Sequence, residues 1–337
     1  MRISTDIISI HLKQPFATSR GWIAESQSAI IRIEHAGVIG LGEAKMSADS
    51  CGGTAEPVGD SIGRIQEALG TDPFRIQQIM DELVRLLPNG CCTRAGIDIA
   101  LHDLCGKLAD LPLYRWFGLS PDKVPLTSYT IGIDTIPRML EKVREARHFP
   151  ILKVKVGVAG DVDAVKAIRN ETQATLRVDA NGGWSVDEAI DRIKQLEAYD
   201  IELVEQPIPP GNHEGLRAIR QHTRVRIFAD EDARAANDLP ALAGCVDGVN
   251  IKLMECGGLR EATRMIHIAH GLGMRVMLGC MVETSLSLTA AAHLSPMVEY
   301  ADLDSGLLVA DDPFVGLAVH EGRIVLPEGP GLGITAR

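Results

Sequence analysis

The sequence predicts an α/β protein: an α+β N-terminal part followed by a closed parallel barrel of βα units. Three observations predict it. The periodicity changes near residue 125, from strand alternation and helical stripes to short apolar runs alternating with amphipathic segments. Eight such runs follow, which points to a parallel sheet, and their even size favours closure into a (β/α)8 barrel over an open sheet. Most of the runs end in residues too polar for a barrel interior. A length of 337 residues also suits about two domains.

Taken in order, residues 1–35 alternate apolar and polar side chains, as in Ile30-Ile31-Arg32-Ile33-Glu34. A turn signal at Gly37 and a second short run through Leu41 complete a small antiparallel sheet. A Gly-rich stretch around Cys51-Gly52-Gly53 precedes helical periodicity, clearest at Ile97, Leu101, Leu104 and Leu108, with Asp98, Asp103 and Lys107 off that stripe. The barrel strands are expected at Thr127–Ile131, Ile151–Val156, Thr175–Asp179, Ile201–Glu205, Val225–Asp230, Gly248–Leu253, Arg275–Leu278 and Glu299–Asp304. Amphipathic segments such as Val186 to Leu196 lie between them, but the last helix is poorly marked. The tail from Pro313 reads as a hairpin, Leu317–His320 and Arg323–Leu326 about a turn at Glu321-Gly322, packing back on the N-terminal part. The expected division is residues 1–122, completed by 313–337, against a barrel of residues 123–312.

Composition excludes several classes. Hydrophobic residues at 45% and charged residues at 23% are the proportions of an ordinary globular protein. A formal net charge of −11 disfavours general nucleic-acid or anionic-membrane binding, which needs a positive field. No apolar run reaches about 18 residues, so no membrane span is expected. The N-terminus lacks the apolar block of a signal peptide, so the chain reads as cytoplasmic. Seven scattered cysteines, without a CxxC, suggest small buried side chains in a reducing compartment and no disulfide framework.

The chemistry is carried by the strand ends. Lys155, Asp179, Glu205, Asp230 and Lys252 follow one another at intervals of 24, 26, 25 and 22 residues, about one βα unit each. Each therefore holds the equivalent place in its repeat, and those places converge on the C-terminal mouth, where barrel enzymes put their chemistry. Asp179, Glu205 and Asp230 bring three carboxylates from adjacent strands into one volume, which demands a compensating cation. An all-oxygen set without His or Cys suits Mg2+ better than zinc. Asn181, Glu231 and Asp232 are expected as supporting or loop residues.

Lys153 and Lys155 are two apart on a strand and point to one face. Side by side, they should depress each other's pKa and bring one of them towards neutrality, ready to accept a proton. Lys252 lies four strands on, on the opposite wall. Amines on both faces of one carbon fit a two-base 1,1-proton transfer.

These motifs, Lys153-Val154-Lys155, Val178-Asp179-Ala180-Asn181, Val204-Glu205-Gln206-Pro207, Ala229-Asp230-Glu231 and Ile251-Lys252, together resemble the enolase superfamily in its muconate-lactonizing subgroup. The helix Ala95 to Leu104 resembles that family's N-terminal capping-domain helix. The resemblance implies a modified TIM barrel, (β/α)7β, under an α+β N-terminal capping domain, which accounts for the weak last helix. It also implies Mg2+ on Asp179, Glu205 and Asp230, Lys155 and Lys252 as the acid/base pair, and Lys153 beside the enolate oxygen. Even-numbered homo-oligomers are common in the family.

Within the subgroup, Asp302 and Asp304 resemble the dipeptide epimerases, where such acids bind the α-ammonium of the N-terminal residue. Facing the same way on an extended segment, they would clamp one cation, as in L-Ala-D/L-Glu or a related dipeptide. Cys280, Met281 and Glu283 match the family's site-lining stretch. Arg20, in the loop between the first two strands, would meet a substrate carboxylate, whereas its neighbour Trp22 would favour an apolar residue. The alternatives are N-acylamino-acid racemase or o-succinylbenzoate synthase activity on the same machinery, and a metal-binding barrel without turnover. No nucleic-acid partner is expected.

Overall fold

Strand alternation in the first residues builds a long antiparallel hairpin, β1 (Arg2–Thr18) with β2 (Gly21–His35), and β3 (Val38–Lys45) completes a three-stranded sheet. Its second turn uses Ala36 and Gly37 at φ 50° and 78°, the left-handed geometry of a two-residue hairpin loop. The computed structural model describes residues 1–46 and 58–337. The Gly-rich stretch at Cys51, Gly52 and Gly53 lies outside the described residues.

Three helices pack on that sheet, α1 (Val58–Leu69), α2 (Ile76–Leu86) and α3 (Cys91–Leu108), followed by a single turn, α4 (Leu113–Trp116). The stripe of Ile97, Leu101 and Leu104 is fully buried, but so are Asp98 and Asp103 off it. The expectation of an amphipathic helix is corrected: α3 is central and enclosed on all sides. Its acids survive burial because each is hydrogen-bonded. Asp103 accepts the N–H groups of Leu41 and Leu332, both at 2.8 Å, and the ammonium of Lys107 at 2.6 Å. Asp98 accepts the N–H of Arg260 at 3.2 Å.

Backbone meets backbone where β3 crosses α3. A Cβ on Gly42 would lie 1.8 Å from the Gly96 carbonyl oxygen, and one on Gly40 2.1 Å from that of Ala100. Gly42→Ala is therefore expected to destabilise the fold by about 2–3 kcal/mol through overpacking. Chemical denaturation checks this against Gly63→Ala in α1, where nothing lies within 4 Å and replacing a helical glycine should be neutral or stabilising.

From residue 129 the chain alternates. The strands are β4 (Tyr129–Ile131), β5 (Ile151–Lys155), β6 (Thr175–Asp179), β7 (Ile201–Glu205), β8 (Arg226–Ala229), β9 (Gly248–Lys252), β10 (Arg275–Gly279) and β11 (Tyr300–Asp302). They are parallel, pair in sequence order from β4 to β11, and close through a bridge between Thr127 and Ala301. All eight expected strands are present. The connections hold α5 (Ile136–Glu145), α6 (Asp161–Glu171), α7 (Val186–Leu196), α8 (His213–His222), the short α9 (Leu239–Leu242) and α10 (Leu253–Cys256), α11 (Leu259–Gly271) and α12 (Ser285–Leu294). After β11 only a four-residue turn remains, α13 (Ser305–Leu308), so the barrel is (β/α)7β.

The two-residue period of the strands sorts the barrel into layers. Leu152, Val154, Val178, Val204 and Ile251 face outward into the buried layer beneath the helices. Inside, Leu203, Phe228, Met277 and Tyr300 pack as an apolar floor, with the Arg177 guanidinium 5.0 Å over the Tyr300 ring. One residue pair further along each strand stand the charged ends: Asp179, Glu205, Asp230, Lys252 and Asp302. The tail forms β13 (Ala318–His320) and β14 (Arg323–Val325) around Glu321 and Gly322, while β12 (Phe314–Val315) pairs with β15 (Thr335–Ala336).

The cysteine expectation also needs correction. Cys91 is disulfide-bonded, whereas Cys105, Cys245, Cys256 and Cys280 are free thiols. No helix among the described residues is long and apolar enough to cross a membrane.

Candidate active site

Register places the charged ends level with one another. Lys155 pairs with Asp179 and Asp179 with Glu205 across β5, β6 and β7, while Lys252, Gly279 and Asp302 form the corresponding row across β9, β10 and β11. Asp179, Glu205 and Asp230 are at most 1% exposed. Three amines meet them. The Lys155 ammonium donates to Asp179 at 2.6 Å and to the Asn181 side chain at 3.2 Å. That of Lys252 donates to Asp230 at 2.6 Å. The Lys153 ammonium lies 3.0 Å from Asp179, 2.9 Å from Glu205 and 2.6 Å from Asp302.

This pairing reverses the expected lysine electrostatics. Burial alone would lower the pKa of Lys153, but Asp179, Asp302 and Glu205 raise it well above the usual lysine range. Asp230 and Glu255 do the same for Lys252 against the same burial. For Lys153 the lowering predicted from its lysine neighbour is outweighed by the carboxylates its ammonium touches. Among the acids, burial pushes Asp179 up, yet Lys153 and Lys155 hold it below the usual carboxylate range. Glu205 rises to about 7 through burial and the facing Asp179.

The acids fit a hard divalent cation in their chemistry. All three are buried carboxylates from consecutive strands; Asp230 Oδ1 makes no hydrogen bond, and Glu205 Oε2 meets only the Lys153 ammonium. The other Glu205 oxygen accepts from the Asn250 amide at 2.8 Å, which orients it. With the ammonium groups among them, no cluster of three or more His, Cys, Asp or Glu side chains is preformed for a metal among the described residues.

Lys153, Lys155 and Lys252 line one cavity of about 880 Å3 beneath the β1–β2 hairpin. In a ring of eight strands, β5 and β9 stand four apart, so Lys155 and Lys252 occupy opposite walls. Asn181 and Glu231, expected as supporting residues, line the same cavity, and Asn181 also anchors Asp179 through its N–H at 2.9 Å. Asp232 accepts from the Gln206 amide at 2.8 Å, bracing the loop after β8. Asn181 and Gln206 hold φ values of 45° and 35°, a strained conformation for non-glycine residues.

The remaining expected residues divide. Asp302 and Asp304 both line the cavity, but they do not share an extended segment. The strand ends at Asp302, and Asp304 stands at the start of α13. Asp302 is engaged by Lys153 and by the Ser128 hydroxyl at 2.6 Å, while Asp304 accepts the Thr130 N–H at 2.6 Å. Burial and the nearby Asp302 push Asp304 up to about 6. Cys280 and Met281 line the cavity, as does Trp22. Glu283 does not line it. Buried at 2%, it accepts the Met281 N–H at 2.8 Å and the Ser287 hydroxyl, bracing the loop from beneath. Arg20 lines the cavity with its guanidinium paired to Glu231.

Sequence reading missed Asn250, Ser128, Thr130 and Lys45. Lys45 and Glu43 are buried two apart on β3, and a charged pair with that spacing inside an otherwise apolar strand was the available signal.

Amines and acids set around the mouth of a closed parallel barrel, with a second domain roofing it, have the layout of a barrel enzyme. Residues 2–118 match the mandelate racemase / muconate lactonizing enzyme N-terminal domain, and residues 136–337 match the enolase C-terminal domain-like family. The chain belongs to the enolase superfamily, within its mandelate racemase / muconate lactonizing enzyme branch. It is 42% identical over 306 residues to the L-Ala-D/L-Glu epimerase of Bacteroides thetaiotaomicron, covering 90% of this chain and 80% of that protein. Its fold superposes with a TM-score of 0.94 on the substrate-liganded L-Ala-D/L-Glu epimerase of Bacillus subtilis, at 30% identity, covering 100% and 98% of the two chains. The dipeptide epimerase of Enterococcus faecalis, solved with Mg and L-Leu-L-Tyr, gives 0.94 at 35% identity, covering 99% of each chain.

Proposed function

We propose that the chain is a Mg2+-dependent dipeptide epimerase that inverts the α-carbon of the C-terminal residue by two-base 1,1-proton transfer. The observation that carries this reading is the placement of Lys155 and Lys252 on opposite walls of one cavity with buried acids between them. A single-base enzyme has no use for the second amine.

In the proposed reaction, one lysine, neutral at Nζ, takes the proton from the α-carbon. The electrons of the broken C–H bond spread onto the adjoining carboxylate, and the α-carbon becomes flat. The lysine opposite, entering as an ammonium, then gives a proton to the other face. Lys153, buried at 3% exposure, places fixed positive charge where those carboxylate oxygens develop negative charge. Asp179, Glu205 and Asp230 would hold Mg2+, whose charge supports the substrate carboxylate and takes up negative charge that otherwise holds the lysine protons. Asp302 and Asp304 offer negative charge to the dipeptide's α-ammonium. That favours a dipeptide over N-acylated or succinylated substrates, which have no ammonium to bring.

The test is incubation with Mg2+ and a broad dipeptide panel in D2O, followed by 1H NMR. Deuterium should enter only the α-position of the second residue, with both epimers appearing. Dehydration of a succinylbenzoate precursor, or exchange confined to N-acylamino acids, would replace this reading. No exchange on any dipeptide would remove it.

A further inference from the structure

Five cationic side chains line the cavity, and four of them are already matched. Arg20 pairs with Glu231, Lys153 with three acids, Lys155 with Asp179 and Lys252 with Asp230. The fifth is Lys45, at the end of β3 in the roof. It is 9% exposed, and its ammonium donates only to the Ser26 hydroxyl at 3.0 Å and the Val282 carbonyl at 3.3 Å. Among the described residues it has no carboxylate within the 4.0 Å of an ion pair.

The acids whose fields it feels, Glu283 and Glu43, are committed elsewhere. Glu43 accepts the hydroxyls of Ser28 at 2.7 Å and Thr284 at 2.6 Å, and Glu283 braces the loop after β10. Neither lines the cavity. An ammonium withdrawn from water without a contacting counter-charge is destabilising. On a cavity wall, that cost is offset when a ligand brings the anion.

We infer that Lys45 receives a side-chain carboxylate of the substrate, which makes acidic dipeptides the preferred class. The inference rests on the epimerase reading above. It concerns a charge on the roof, apart from Lys155 and Lys252 at the ends of β5 and β9. Lys45 touches the loop that follows β10, the neighbour of β11, which ends in Asp302. The carboxylate could come from the first or the second residue of the dipeptide, and the substrates below separate the two.

The experiment measures kcat/KM by solvent-deuterium exchange, with Mg2+, on two isosteric pairs: L-Ala-L-Glu against L-Ala-L-Gln, and L-Glu-L-Ala against L-Gln-L-Ala. The parent protein should favour the acid about tenfold or more in one pair, which identifies the position read. Lys45→Met should lower that acid-to-amide ratio by about 10- to 100-fold, mainly through KM, the range for a buried charge-assisted contact. Lys45→Arg should restore part of it. A purely structural Lys45, pinning roof to barrel through Val282, would lower acid and amide alike and leave the ratio intact. An unchanged ratio in Lys45→Met, or a parent protein preferring the amide in both pairs, overturns the inference. Absence of exchange on every dipeptide sinks the epimerase reading instead.

Discussion

Lys155→Ala and Lys252→Ala are each expected to lower kcat/KM for epimerisation by about 10²- to 10⁴-fold, the range a positioned general acid or base contributes. The two losses should differ in kind. With Lys155 gone, Lys252 still faces one side of the α-carbon, so the epimer presenting its α-proton to that side keeps exchanging with D2O without inverting. With Lys252 gone, the other epimer should keep its exchange. 1H NMR on each pure epimer reads this directly. If both variants lose exchange from the same epimer, the opposite-wall assignment fails. If both match the parent, neither lysine is a base. The geometry behind this expectation is the ring of eight strands, in which the two lysines are separated by four.

Stripping divalent cations with a chelator should lower activity by about 10³-fold or more, since a metal at a developing charge contributes several kcal/mol to the transition state. Added Mg2+ should restore it. Asp179→Asn, Glu205→Gln and Asp230→Asn should each remove both the activity and the saturable Mg2+ titration seen by calorimetry. Stability will move as well. Asp230→Asn leaves the Lys252 ammonium without its 2.6 Å partner, and breaking a buried pair from one side costs about 3–5 kcal/mol. The chelated parent protein should show no such loss, because its acids remain paired with lysines. Retained Mg2+ titration in all three variants would place the metal elsewhere.

These two expectations draw on different kinds of information. The positions of Lys155, Asp179, Glu205, Asp230 and Lys252 were legible because a strand end recurs every βα unit, and spacing of 22 to 26 residues survives in one dimension. The eight strands were legible for the same local reason. What each charge touches was not legible. Lys153 meets Asp302 across 149 residues and Thr284 meets Glu43 across 241, and no periodicity encodes such pairs. Hence Lys153, expected to be lowered by its lysine neighbour, is held up by carboxylates, and Glu283, expected on the cavity wall, lies behind it.

The helix α3 shows the same division. Its apolar stripe predicted a helix, yet Asp98 and Asp103 are as buried as the leucines, because β3 crosses it closely and α10 and α11 pack on it from the barrel side.

By itself, the sequence determined the barrel, its roofing sheet and the chemistry available at its mouth. All three follow from patterns that repeat along the chain and act through nearest neighbours. Tertiary structure alone decided which acid neutralises which amine, that Arg20 is already paired, and that Lys45 has no carboxylate partner among the described residues. Coulomb energies depend on distance in space and on burial, and both are set only when remote segments close around the cavity.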